Sequence, residues 1–201
     1  MFRKLLPLVI GSLAAAAVIL PNASALAAAP SETPANVRDA TAAYRDPAAA
    51  LAGGYELLTD ASGLACIDMP GEGTMGIHYV KSALVQAGAI DATRPQALVY
   101  EQTTDGRLDL AAVEYVVLQA GWDSAHAAPP SLFGTQFDLT PTDNRYGLPA
   151  FYSLHAWVWT ENPAGMFKMW NPSLQCAGGS SAQSPEPVVS FVPSTQSRDK
   201  D

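Results

Sequence analysis

Ala97-Leu98-Val99-Tyr100-Glu101-Gln102 runs into Thr103-Thr104-Asp105-Gly106 and then into Arg107-Leu108-Asp109-Leu110-Ala111-Ala112-Val113-Glu114-Tyr115-Val116-Val117-Leu118. Two apolar stretches rich in β-branched and aromatic residues flank an Asp-Gly turn, which is a strong short-range signal for a β-hairpin. Successive side chains of a strand point to opposite faces. Strict alternation along the return strand therefore puts Leu108, Leu110, Ala112, Glu114, Val116 and Leu118 on one face. Asp109, Ala111, Val113, Tyr115 and Val117 take the other. Asp109 marks its face as the wetter one near the turn, so Glu114 falls on the apolar face. A carboxylate there is costly unless it is paired, hydrogen-bonded or bound to a metal.

Two further strand-like runs carry the same anomaly. His78 sits in Met75-Gly76-Ile77-His78-Tyr79-Val80. His155 sits in Phe151-Tyr152-Ser153-Leu154-His155-Ala156-Trp157-Val158-Trp159, where Phe151, Ser153, His155, Trp157 and Trp159 share a face. If the three strands are neighbours, two imidazoles and one carboxylate converge. That donor set suits one transition-metal ion, Zn, Fe, Mn or Cu, with a position left for water or substrate. Glu101, on the strand paired with that of Glu114, is a weaker fourth oxygen ligand. Two other readings stand beside this one. His78, Glu114 and His155 form a satisfied structural polar core, or they line a metal-free pocket for a small ligand, with Tyr79, Tyr100, Trp157 and Trp159 as its aromatic wall. The spacing alone is weakly specific, since neither H-E-x-x-H nor H-x-H occurs. If the site is catalytic, the expectation is metal-dependent oxidation or hydrolysis of a small molecule.

Other chemistries find little support. No G-x-S-x-G elbow accompanies Ser153, so nothing marks an activated serine. Gly71, Gly73 and Gly76 precede the His78 run, but no Gly-Lys-Ser/Thr follows, so they read as sites of a bulge or of close strand packing rather than a phosphate loop. His126 lies in a loop and reads as exposed.

Outward from the strands, Thr33 caps a helix opened by Pro34, with Val37, Ala40, Thr41 and Tyr44 on one face. Pro47 forces a restart, and Gly53-Gly54 ends the second short helix. Residues 119–150 read mostly as a long loop packed over something, in the manner of a lid. Helices first and antiparallel strands afterwards predict an α+β fold: an N-terminal helix or helices, then a curved antiparallel sheet or small β-barrel.

The ends carry different information. Arg3 and Lys4 precede an almost wholly apolar run at 5–20, and Ala25-Leu26-Ala27 supplies a small-residue cleavage site. This reads as a secretory signal peptide over 1–27, which places the mature chain in a secreted, periplasmic or other extracytoplasmic setting. A flexible entry at 28–34, one globular domain at 35–176 and a disordered tail at 177–201 complete the division. Removing the two basic residues of the signal takes the net charge from −8 to −10. So acidic a protein is a poor partner for nucleic acid, and no later run is long enough for stable insertion in a membrane. A small-molecule ligand is the expected partner. The two cysteines, Cys66 and Cys176, most simply form a disulfide in an oxidising compartment. Paired metal thiolates are the alternative, against which stands the lack of C-x-x-C spacing.

Taken together, the Met75-Gly76-Ile77-His78-Tyr79 string, Val113-Glu114-Tyr115, Leu132-Phe133-Gly134, Leu154-His155-Ala156-Trp157-Val158-Trp159, Asn162-Pro163-Ala164-Gly165-Met166-Phe167 and Asn171-Pro172 resemble a group of exported bacterial proteins of unassigned function. The resemblance spans about residues 37–176 and implies one exported domain closed by the same cysteine pair. It implies no activity. The H-x-H of the usual cupin motif is missing, so a cupin assignment departs from pattern.

Overall fold

The computed structural model describes residues 32–176. The expected signal peptide, the entry up to residue 31 and the expected tail from residue 177 lie outside the described residues.

The first turn of α1 (Pro34–Thr41) is fixed by the Thr33 hydroxyl, which accepts from the Asn36 amide at 3.2 Å. A 3₁₀ turn (Ala42–Arg45) follows, and the Asp46 side chain caps α2 (Pro47–Ala52) by accepting from Ala48 N. Proline cannot donate inside a helix, so the break falls where Pro47 demands it. Val37 and Thr41 are buried, whereas Ala40 is exposed: the helix is tilted away from the face that its spacing predicts.

The strands are β1 (Glu56–Leu57), β2 (Cys66–Met69), β3 (Gly73–Val80), β4 (Ala97–Gln102), β5 (Leu108–Leu118), β6 (Ser131–Leu132), β7 (Thr135–Gln136), β8 (Asp138–Thr140) and β9 (Phe151–Ala156). Short helices α3 (Ser82–Ala87) and α4 (Gln119–Asp123) follow β3 and β5. One seven-stranded sheet runs β1-β3-β4-β5-β9-β8, with β2 also on the outer edge of β3, while β6 and β7 form a separate ribbon. Neighbouring strands pair antiparallel throughout. The fold is therefore α+β, and the described sheet is open rather than closed into a barrel.

The 97–118 hairpin forms with the expected turn, but its register shifts. Val99 pairs with Ala112, and Tyr100 with Leu110, which leaves Ala111 as an extra residue. Such a bulge inverts the facing of everything on one side of it. Leu108 and Leu110 consequently join Val113, Tyr115 and Val117 in the main core, opposite to strict alternation. Ala112, Glu114, Val116 and Leu118 keep the other face. The freed Ala111 carbonyl accepts from the amides of Trp159 and Thr160, so the bulge is also where the chain beyond β9 docks.

The main core packs Val37 and Ala50 of the helices, with Leu132 and Phe137, against Tyr79, Tyr100 and Tyr115 of the sheet. The opposite face carries His78, Glu114 and His155. A disulfide joins Cys66 to Cys176, with Cα atoms 5.8 Å apart across a separation of 110 residues. It ties the last described segment to β2.

Gly73 shows how tightly that segment is held. Thr74 and Asn171 exchange backbone hydrogen bonds. A Cβ on Gly73, whose φ is +108°, would fall 2.2 Å from the Asn171 carbonyl oxygen. Gly73→Ala is expected to cost on the order of 3 kcal/mol, from left-handed backbone strain plus displacement of the 171–172 segment. Urea unfolding checks it, and a cost below about 1 kcal/mol would show that the segment yields freely.

Candidate metal centre

β3 and β9 are separated in the sheet by β4 and β5, a span of about 14 Å at roughly 4.8 Å per strand. The rings of His78 and His155 nevertheless meet, with Nε2 atoms 3.2 Å apart and planes at 86°. Two features permit this. The sheet curls around this face, and the residues between the rings are small: His78 pairs with Val99, Val99 with Ala112, and Glu114 with both Ala97 and His155.

Glu114 closes the triangle. Its Oε2 lies 3.5 Å from His78 Nε2, and its Oε1 lies 3.5 Å from His155 Nδ1. One donor atom from each of the three residues can be chosen so that all lie within 4.8 Å of one another. All three residues are buried. Ser153, next to His155 on the same face, hydrogen-bonds the Glu114 carboxylate. Only one proton can lie between the two Nε2 atoms, so one imidazole donates there and the other accepts. If His78 donates, His155 carries its proton on Nδ1, the nitrogen nearest Glu114.

Burial sets the charge state. It pushes His78 down to about 4, with Glu114 opposing and His155 adding to the fall. His155 is likewise pushed down to about 4 by burial, opposed by Asp138, which sits opposite Ser153 on β8. Burial raises the Glu114 carboxyl, against the pull of His78 and the Ser153 hydrogen bond. Both imidazoles are thus neutral at pH 7, the form that ligates metals.

Below about 6.5 the unfolded chain takes up protons on these histidines, while the folded chain does so only near 4. Metal-free protein is fully stabilised above about pH 6.5 and loses stability as the pH falls towards 4. The raised Glu114 acts in the opposite sense and offsets part of the loss. The net expectation is a decrease between pH 7 and 4.5 that stays below the roughly 5 kcal/mol the two histidines alone would give. Chemical denaturation across pH measures it. A His78→Gln/His155→Gln protein should show a flatter profile, and an unchanged one would remove the assignment.

Two members of the triad, His78 and Glu114, line a cavity of about 270 Å³ together with Ser153, whereas His155 is not among its lining residues. Most of its wall is apolar, including Leu58, Val85, Val116, Phe151 and three methionines. Asn144, Arg145, Tyr146 and Leu148 also line it, so part of the 119–150 segment does pack over the sheet. Arg145 anchors that cover: its Nη2 donates to Asp60 Oδ2 at 3.0 Å, and its carbonyl accepts from Ala61 N. Burial alone would raise the Asp60 carboxyl, but the amides of Leu64 and Ser62 and the Arg145 guanidinium outweigh it and hold it low. Burial raises the Tyr146 phenol, and the Glu114 charge adds to the rise, which places Tyr146 within electrostatic reach of the triad.

Two expectations require correction. Glu101 does not join the cluster, because it lies four residues beyond Ala97, the partner of Glu114, or about 14 Å along the strand. Its carboxylate instead accepts from the Thr160 hydroxyl at 2.8 Å. The proposed aromatic wall is also elsewhere. Tyr79 and Tyr100 pack edge-to-face at 5.2 Å in the main core, on the other side of the sheet. β9 ends at Ala156, and neither Trp157 nor Trp159 lines the cavity. Trp157 stays beside His155, with ring centroids 6.2 Å apart, and donates from Nε1 to the Lys168 carbonyl. Trp159 turns to the helices and donates to the Thr41 hydroxyl. Both border a separate shallow cleft that includes Arg38. His126 is exposed, as expected, and stacks on Trp122 at 3.7 Å.

The sequence reading missed Tyr146, Arg145 and Asp60, whose positions depend on a loop. Ser153 was recoverable from its spacing to His155. No family model matches the chain, and neither a curated protein nor a solved structure matches it.

Proposed function

We propose that His78, Glu114 and His155 hold one transition-metal ion, with its open coordination facing a chamber that admits a small molecule. The observation that carries this reading is the convergence of the three donors within 4.8 Å of one another, with His78 and Glu114 lining the cavity. Tetrahedral ligands at 2.0–2.1 Å from zinc stand about 3.3–3.4 Å apart. The Nε2–Nε2 distance of 3.2 Å and the Nε2–Oε2 distance of 3.5 Å bracket that value. Zn, Fe, Mn and Cu all accept this donor set. A bound cation also reverses the effect of burial on Glu114, because its charge favours the ionised carboxylate. Three protein ligands leave room for a water or substrate oxygen, which the ion would polarise.

The setting belongs to the same proposal. The disulfide fits an extracytoplasmic protein processed near residue 27, of the exported bacterial kind that the sequence resembles. No helix among the described residues is long and apolar enough to cross a membrane.

The competing reading is a satisfied polar core with no ion. It is favoured by the fact that, among the described residues, no buried side-chain nitrogen or oxygen lacks a hydrogen-bond partner. Elemental analysis of protein purified without an affinity tag separates the two. Close to one equivalent of metal per chain is expected, either as isolated or after loading with Zn, Fe, Mn or Cu ions. Less than about a tenth of an equivalent under every loading condition would leave the polar core standing.

A further inference from the structure

We infer that the chamber takes a monoanionic ligand of about nine or ten non-hydrogen atoms in all, with an apolar body, bound through its anionic oxygen to the ion at His78, Glu114 and His155. This rests on the metal reading above.

Charge supplies the first part of the argument. A divalent ion, one carboxylate and two neutral imidazoles sum to a single positive charge. The Arg145 guanidinium does not alter that total, because Asp60 neutralises it at 3.0 Å. An uncompensated charge in apolar surroundings is expensive. A fourth ligand with one negative charge removes the cost, and a neutral one does not. Without the ion the sign reverses, because Glu114 then repels an anion. Anion binding is therefore conditional on the metal.

Size and wall chemistry supply the second part. A volume of about 270 Å³ is that of roughly nine water molecules at about 30 Å³ each. Away from the triad, Leu58, Val85, Val116 and Phe151 offer no hydrogen-bond partner to a polar body. Met69, Met75 and Met169 add unbranched, adaptable surface, graded from exposed Met69 through half-buried Met169 to buried Met75. That gradient runs from rim to interior and suits an aliphatic or small aromatic body whose shape is not tightly specified. A medium-chain carboxylate such as octanoate, with ten non-hydrogen atoms, has this head and this size.

The test uses full mature protein loaded with Co²⁺, whose visible absorption reports the coordination sphere, titrated with octanoate and followed in parallel by calorimetry. Octanoate is expected to change the cobalt bands saturably. Each buried methylene contributes about fourfold in affinity, so octanoate should bind at least a hundredfold tighter than acetate. It should also bind at least tenfold tighter than 1-octanol, and at least tenfold tighter than it binds the metal-free protein. The Val116→Phe variant, which fills the chamber, should keep its cobalt and lose at least tenfold in octanoate affinity. Acetate binding as tightly as octanoate would overturn the apolar body, and octanol binding as tightly would overturn the anionic head. Cobalt bound with bands indifferent to octanoate overturns this inference and leaves the metal reading intact. If cobalt does not bind at all, both fall.

Discussion

Alanine at His78 or at His155 is expected to abolish stoichiometric metal binding. The two Nε2 atoms stand 3.2 Å apart and Glu114 Oε2 lies 3.5 Å from His78 Nε2, so each imidazole would supply its Nε2 to one coordination figure, while His155 Nδ1, 3.5 Å from Glu114 Oε1, stays outside it. Even partners outside the coordination shell are worth 10- to 100-fold in metal affinity. Loss of one of three direct ligands should exceed about a hundredfold. Elemental analysis and competition with a chelator of known affinity measure it. Near-ultraviolet circular dichroism confirms that the sheet still folds, and His155→Gln, closer in size, repeats the test without opening a cavity. Glu101→Gln and His126→Ala serve as controls and should keep the metal. Glu101 is engaged with Thr160, and His126 is exposed on Trp122. Retention of a full equivalent by both the His78→Ala and His155→Ala proteins would end the proposal.

Replacing both cysteines by serine should lower stability by roughly 4–5 kcal/mol, because the bridge spans 110 residues and long loops lose the most closure entropy. For a domain of this size that corresponds to a fall in melting temperature of about 8–20 °C. Local structure sets where the damage starts. Asn171 holds Thr74 through reciprocal backbone bonds, and its side chain accepts from Ser173 N at 3.0 Å. Met169 and Trp170, just before this anchor, line the cavity. Freed of the bridge, the segment should fray before the sheet melts, and ligand binding in the cavity should weaken below the melting temperature. Differential scanning calorimetry, with a mass comparison under oxidising and reducing conditions, tests both parts. A shift below about 2 °C would show that the packing of the segment, and not the bridge, holds it in place.

The sequence determined the features that depend on a few adjacent residues. Thr33 with Pro34, and Asp46 with Pro47, set the two helix starts, because a capping oxygen and a fixed φ act locally. Asp105-Gly106 placed the hairpin turn, where Gly106 takes a φ of +84°. Apolar runs marked β3, β5 and β9, and the polar exceptions within them named His78, Glu114 and His155 before any strand was paired. Burial is written in the runs themselves, so an ionisable residue inside one is visible at once.

The tertiary structure decided what depends on distance across the sheet. Strict alternation misplaced Leu108 and Leu110, because a single extra residue at Ala111 inverts facing and costs no change in composition. Glu101 has the right face and the wrong height, a distinction that only register makes. Tyr79 and Tyr100 fall on the opposite face of the sheet, and Trp159, beyond the end of β9 at Ala156, packs against the helices. The cover over the triad depends on Asp60 and Arg145, 85 residues apart, whose ion pair no local pattern announces. The meeting of His78 with His155 across two intervening strands is the sum of twist and curl accumulated along the sheet, with Val99 and Ala112 small enough to lie beneath. Each strand specifies which residues leave its face, and only the curvature of the assembled sheet specifies which of them touch.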